Sequence, residues 1–450
     1  MKHEAGEKQG LKRRVYWGGV LALALLMTAC LPGGGQVPQD PLLRSLERKS
    51  GLIVYIGADG NIYTIDQGGG NQTAVTTDAG SADGKVDAYQ FPTWSPDAQK
   101  LAFAKVSRTS GGAVETARVY TAERDGTGLV EAYVSDKQFP IYLYWSPDSQ
   151  RLSFLTSAAA GGMMLQVVPA QGGEAQVLDA GAPYYWTWAP DGQSILVHVG
   201  GATKSQPRAR LSFLSINGEV IEEGLALRPT EFQAPAWSPD GNQLLLAAET
   251  EDGDRAFMLT DSSGGPKSVL KLLDGSIAFG WSPDSKRVAY ITGASNEQLT
   301  IGPLTVLDPE KPAEAKTTVQ DDVFAFFWSP DGQEVAFFVP RVIRPTPEPN
   351  QSGQPQQILL LQLHVLDVKS GESREVTTFL PTREFVNVLP YFDQYQLSTT
   401  IWSPDSKNVV LSGYPVGNQP QELGVWVVAA SGNLEPRYLT EGPLAFWSWK

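Results

Sequence analysis

The sequence predicts an all-β fold, a β-propeller of four-stranded antiparallel blades, and three observations predict it. A Trp-Ser-Pro-Asp element recurs seven times, its tryptophans 51, 43, 49, 44, 47 and 74 residues apart. Most of those intervals fall near the 40 to 50 residues of a four-stranded blade. An apolar, alternating stretch follows each copy, and Gly (45) and Pro (32) are abundant in 450 residues without a collagen-like period, as many turns between short strands require.

The copies are Trp94-Ser95-Pro96-Asp97, Trp145-Ser146-Pro147-Asp148, Trp188-Ala189-Pro190-Asp191, Trp237-Ser238-Pro239-Asp240, Trp281-Ser282-Pro283-Asp284, Trp328-Ser329-Pro330-Asp331 and Trp402-Ser403-Pro404-Asp405. Proline pre-sets φ at the second position of a type I turn, and aspartate hydrogen-bonds nearby backbone there. The element is therefore a hairpin turn, and Asp97, Asp148, Asp191, Asp240, Asp284, Asp331 and Asp405 read as turn stabilisers rather than as ligands of a shared cation. Each tryptophan closes the strand before its turn. Burying about 200 Å² of indole is worth on the order of 5 kcal/mol gross, so each of them, Trp237 included, is expected to wedge between neighbouring blades.

The second strands follow the turns, as in Lys100 to Lys105, Arg151 to Leu155, Arg287 to Ile291 and Glu334 to Val339; their alternation and β-branched content favour strand over helix. Third strands include Asn61 to Asp66, Arg118 to Ala122, Arg255 to Leu259 and Val425 to Ala429, and fourth strands Gln72 to Thr77 and Pro436 to Thr440.

From about residue 52 to 450 these units resemble the WD-repeat-like propeller repeats of the TolB family, whose repeat carries the same Trp-Ser-Pro-Asp-Gly element before an apolar strand. The resemblance implies the repeat class and its fold. The family's additional α/β domain has no counterpart in this sequence, and its six blades differ from the count expected here.

That count is eight. The first unit, Leu52 to Thr77, lacks a strand of the Trp-Ser type, and Pro443 to Lys450 supplies one at Trp447-Ser448, 45 residues after Trp402. Pairing the two ends would complete a blade and remove open edges, with seven blades and free ends as the alternative. Two insertions interrupt the repeat. Residues 340–357 are Pro- and Gln-rich with Arg341 and Arg344 at their start, and read as a loop. Residues 380–398 hold Phe385, Tyr391, Phe392 and Tyr395, which either pack under the propeller rim or form a contact surface for a partner.

Residues 1–29 read as a lipoprotein signal peptide: Lys8, Lys12, Arg13 and Arg14 precede the apolar run Val15 to Ala29, too short for a stable membrane span. The run ends in Leu26-Met27-Thr28-Ala29-Cys30, resembling a bacterial lipobox, with Cys30 as the lipid attachment site. An ordinary signal peptide is the alternative, and the twin Arg13-Arg14 also permits folded export. Cys30 is the single cysteine, so no intramolecular disulfide forms. Residues 30–50 read as a flexible tether, and residues 51–450 as the propeller.

The net charge is −14; the first 29 residues hold five Lys/Arg and two Asp/Glu, so the rest carries 30 basic and 47 acidic groups, or −17. Such a surface repels phosphate backbones and argues against nucleic acid as a partner. His198 and His364 lie on separate strands with no second histidine beside them, and the pair Glu222-Glu223 reads as solvated. The usual zinc, P-loop and serine-hydrolase patterns do not occur, so no metal, cofactor or catalytic residue is expected. The sequence thus points to a monomeric, non-catalytic propeller, lipid-anchored to the bacterial cell membrane outside the cytoplasm, that binds a protein or peptide. A glycan-binding or glycan-cleaving propeller, motivated by aromatic first strands such as Tyr142, Tyr144, Tyr185 and Phe324, and an accessory subunit of an envelope complex are the alternatives.

Overall fold

The computed structural model describes residues 49–450 apart from 158–160, 203–205, 295–298, 315–316, 344–356 and 419. The expected signal peptide, Cys30, nearly all of the expected tether and most of the first insertion lie outside the described residues. What remains of that insertion lengthens a hairpin: strands Glu334–Ile343 and Ile358–Asp367 pair from Glu334↔Asp367 to Ile343↔Ile358, so Pro340 and Arg341 are strand residues and not loop.

The described residues form seven antiparallel sheets, five of four strands, one of five and one of seven, the layout of a propeller. In each complete unit the strand that ends in the motif tryptophan pairs with the strand after the turn, and the next two follow in order. The seven-stranded sheet joins two units, because Phe379, Leu380 and Pro381 pair with Pro415, Tyr414 and Gly413. Its second unit keeps little of a first strand, the single bridge Trp402↔Val409. The chain ends also meet. Strand Leu444–Trp447 pairs with Ile53–Ile56 through Ile53↔Trp447, Val54↔Phe446, Tyr55↔Ala445 and Ile56↔Leu444.

The turn motif is built around its serine, whose role shows only in the folded hairpin. Ser95, Ser146, Ser238, Ser282, Ser329 and Ser403 are fully buried. In the first copy Ser95 Oγ donates to Asp97 Oδ1 at 2.6 Å and accepts the Lys100 N–H at 2.9 Å, while the Ala98 N–H closes the turn on Ser95 O at 2.8 Å. The hydroxyl thereby satisfies the first donor of the second strand, which would otherwise be buried without a partner. Ser448 repeats this across the chain ends, its Oγ accepting the Leu52 N–H at 2.9 Å.

The residue after the motif aspartate has positive φ in every copy: Ala98, Ser149, Gly192, Gly241, Ser285, Gly332 and Ser406. Glycine adopts that conformation without steric cost. Serine is offset by a bond to the neighbouring unit, since Ser149, Ser285 and Ser406 Oγ accept the N–H groups of Asp97, Asp240 and Asp331 at 3.3, 3.0 and 3.1 Å. The turns therefore lie side by side on one face of the molecule.

The tryptophans wedge as expected, with one exception. Trp281, Trp328 and Trp402 Nε1 donate to Ala236, Gly280 and Phe327 O, each time the residue before the preceding unit's tryptophan. Trp188 Nε1 donates to Ser153 Oγ, and Trp447 Nε1 to Ser50 O. Trp94 and Trp145 are buried without an Nε1 partner, whereas Trp237 is only partly buried and its Nε1 likewise has no partner. Its first strand is cut to Ala236–Trp237, because Pro229 and Pro235 lack the N–H of a paired strand and residues 228–230 bond instead to the far end of strand Gln243–Glu249. The expectation that Trp237 is an equal wedge is thereby corrected. Trp402→Ala should cost about 3–5 kcal/mol through the cavity it leaves, and Trp237→Ala under about 2 kcal/mol, read as denaturation midpoints in urea.

Candidate binding site over a helical hub

The second insertion is the hub of the molecule. After Pro381 the chain forms helix α1 (Arg383–Val388), a 3₁₀ turn (Leu389–Tyr391) and helix α2 (Phe392–Tyr395), then runs into Trp402. Thr382 caps α1, its Oγ1 accepting the Phe385 N–H at 3.2 Å and donating to Pro443 O at 2.6 Å.

The first strands of most sheets have an edge with no strand beside it, and buried edge groups need partners. The hub's polar side chains supply them. Gln394 acts as a rung on Trp186, accepting its N–H at 3.1 Å and donating to its carbonyl at 2.8 Å. Asp393 Oδ2 accepts the Ala234 N–H at 2.9 Å, and Gln396 Nε2 donates to Phe279 O at 3.1 Å. Tyr142 Oη donates to Gln394 O at 2.7 Å and Thr93 Oγ1 to Ser398 O at 2.7 Å, while the Trp447 N–H reaches Thr400 O at 2.8 Å. Hub aromatics complete the packing, with Phe392 4.8 Å from Phe326 and Tyr395 4.8 Å from Tyr142, ring centre to ring centre.

Of the four aromatics expected at a partner surface, Phe385 and Phe392 are buried and Tyr395 is largely covered, while Tyr391 is half exposed. The contact expectation is corrected for Phe385, which packs on Phe338 and Phe379, and for Phe392, which packs on Phe326 and Phe327, while Tyr395 remains in the lining of the cavity described below. The hub also covers Tyr142 and Trp186, which are therefore not open to a ligand.

Burial pushes the Asp393 carboxyl up to about 6, against the N–H groups of Ala234 and Gln394 that favour its charged form. A folded-state value above the unfolded ~3.9 means that the folded chain binds more protons between about pH 4 and 6. The residue's contribution to stability is therefore greatest at low pH and is lost as pH rises through that window. Burial raises the pKa of its phenolic neighbour Tyr185, which does not ionise there. Asp393→Asn should accordingly be at least as stable as the parent at pH 7, with its melting temperature relative to the parent falling between pH 7 and pH 5.

A cavity of about 980 Å³ lies where α1 meets the neighbouring sheets. Arg383, Glu384 and Asn387 of α1, Glu422, Leu423 and Glu441 of adjoining loops and strand ends, and Gln90 and Phe91 of strand Lys85–Trp94 line it. Among the described residues the side chains of Arg383, Glu384, Asn387, Glu422 and Glu441 have no hydrogen-bond or ion-pair partner, and Leu423 is 48% exposed. Tyr89 in the wall donates to Asp78 at 2.6 Å, and Asp78 and Asp87 hold Lys105 at 2.6 and 2.9 Å, a paired cluster that fixes this side of the site. Of the cavity's lining the sequence points only to Tyr395, because Arg383, Glu384 and Asn387 carry no motif and become a lining only once α1 is seated.

The two histidines and Glu222 take structural places. His198 is fully buried, its Nε2 2.9 Å from Gly201 O and its Nδ1 beside Gln233, and burial lowers its pKa. His364 stacks on Phe337 at 5.1 Å, and burial likewise lowers its pKa. Glu222 pairs with Arg210 in an exposed setting.

No family model and no curated protein matches the sequence. Solved structures similar to this chain include TolB from Acinetobacter baumannii, at 15% identity over 80% of this chain and 81% of that one with a TM-score of 0.36. Another is an oligogalacturonate lyase from Vibrio parahaemolyticus, at 14% identity over 85% and 98% with a TM-score of 0.45. The β-propeller domain of the Trilobed protease from Pyrococcus furiosus is a third, at 13% identity over 70% and 86% with a TM-score of 0.40.

Proposed function

We propose that this chain is a lipid-anchored, extracytoplasmic propeller of eight blades that acts as a non-catalytic scaffold, binding a protein or peptide in the cavity over α1. The observation that carries the reading is the set of unpartnered polar side chains, Arg383, Glu384 and Asn387, set beside exposed Leu423 in a cavity of about 980 Å³. An apolar contact ringed by uncommitted polar groups is the usual composition of a recognition site. The eight-blade count rests on eight tryptophan units, with the Trp447 unit assembled from both ends of the chain.

The direction of the cavity fits an anchored protein. Ser50 and Gly51 lie beside Trp447, Pro404 and Ser448, at the face that carries the motif turns. The cavity is lined by Gly57, Pro443 and Leu423, at the opposite ends of the strands. A tether ending in lipidated Cys30 would leave one face while the cavity opened on the other, toward the partner.

Affinity capture from the native membrane tests the reading. An Arg383→Ala, Asn387→Ala variant should recover at least tenfold less of a discrete partner at an unchanged melting temperature, and equal recovery would count against the site. Glu384, Glu422 and Glu441 in one lining favour a single second reading, glycan cleavage, which needs two facing carboxylates. Turnover of an oligosaccharide abolished by one Glu→Gln change among the three would establish it.

A further inference from the structure

The exception at Trp237 leaves an opening in the side of the molecule. Between the Trp188 and Trp237 sheets lies a groove of about 1400 Å³. Phe213, Leu225, Leu227, Trp237 and Met258 line its apolar part, with the Phe213 and Trp237 rings 5.9 Å apart. The groove is elongated: its lining includes the turn at Thr250 to Gly253 beyond one end of strand Arg255–Asp261 and the turn at Ser262 to Gly265 beyond the other. Seven strand residues span about 23 Å at ~3.3 Å per residue.

We propose that this groove is a second docking site, which takes an extended peptide segment with an apolar core flanked by lysine or arginine. Three observations converge on that occupant. The first is shape, since a groove running the length of a strand fits an extended chain better than a compact ligand. The second is the open wedge: Trp237 is partly exposed where the other motif tryptophans are buried, and Ile221 and Val269 in the lining are 64% and 42% exposed. An amphipathic indole in a partly open apolar pocket is the kind of residue that anchors a bound side chain.

The third is charge. Glu223, Glu249, Glu251 and Asp252 line the groove against a single Arg228, and none of these side chains has an ion-pair partner among the described residues. A basic flank would meet this lining favourably, and the same charge disfavours a second copy of this chain, which carries −14, and an anionic membrane surface.

The test uses the full chain in detergent, labelled with 5-fluorotryptophan, with the Trp237 ¹⁹F resonance assigned from Trp237→Phe. The probe is a library of acetylated pentapeptides Lys-Ψ-Ψ-Ψ-Lys, with Ψ drawn from Leu, Val, Phe and Trp, and a matched library with Glu in place of Lys. Lysine-flanked members should move the Trp237 resonance at least tenfold more tightly than their glutamate counterparts, and more weakly at 0.5 M than at 0.1 M salt. A Glu249→Gln, Glu251→Gln, Asp252→Asn variant should lose about tenfold in affinity at an unchanged melting temperature. Arg383→Ala, Asn387→Ala should bind these peptides as the parent does, which keeps this site distinct from the cavity over α1. The proposal is overturned if no lysine-flanked peptide moves the resonance at millimolar concentration, or if both libraries bind alike. It is equally overturned if the resonance moves only with protein concentration or added anionic vesicles, which would make a second copy or a membrane the occupant.

Discussion

A chain that stops at Gly442 is expected to lose its cooperative thermal transition. Strand Leu444–Trp447 is buried along its whole length and contributes four rungs to Ile53–Ile56. Phe446 and Trp447 are 2% and 1% exposed, and removing either side chain from such a site costs about 3–5 kcal/mol. Losing both, with Leu444 and the backbone bonds, approaches the whole of a typical 5–15 kcal/mol stability. The truncation also strips the partner from strand Ile53–Ile56 and leaves an apolar edge open to aggregation. Trp447→Ala alone keeps the test readable if the truncated chain does not accumulate, with an expected loss of about 3–5 kcal/mol by urea denaturation. A truncated chain that melts like the parent would show that the terminal pairing does not hold the fold together.

Phe385→Ala and Phe392→Ala should each cost about 3–5 kcal/mol, although both lie in an insertion between two regular strands. Phe385 is fully buried, 5.6 Å from Phe338 and 6.0 Å from Phe379, and Phe392 packs on Phe326 and Phe327 at 4.8 and 6.3 Å. Tyr391, in the same insertion and half exposed, should change stability by less than about 0.5 kcal/mol when replaced by alanine. Urea midpoints that failed to separate the three would mean that the insertion is an appendage rather than the hub.

The repeat was legible in the sequence because its information is local. Proline at the second turn position, aspartate at the third and a tryptophan before them act within a few residues, so the copies could be aligned by eye and most strands placed within a few residues of their ends. The serine was equally visible in six of the seven copies; its meaning was not, because it satisfies an N–H five residues later that only the folded hairpin buries.

The hub was legible only in composition. Four aromatics announced that residues 380–398 bury something, but the work of Asp393, Gln394 and Gln396 is to complete strand edges 117 to 208 residues away, and no spacing rule reaches that far. Trp237 failed for a related reason. Pro229 and Pro235 stand in plain view, yet their effect is to move a first strand relative to its neighbour, which a motif match cannot register.

The central claim, that the cavity over α1 is where a partner binds, is tested most directly by placing a photo-crosslinking amino acid at Asn387 and, separately, at Lys286 on the motif-turn face. One discrete adduct is expected in native cells from position 387, lost in Arg383→Ala, and none from position 286. Adducts of equal yield from both positions, or none from 387 while 286 labels a partner, would contradict it.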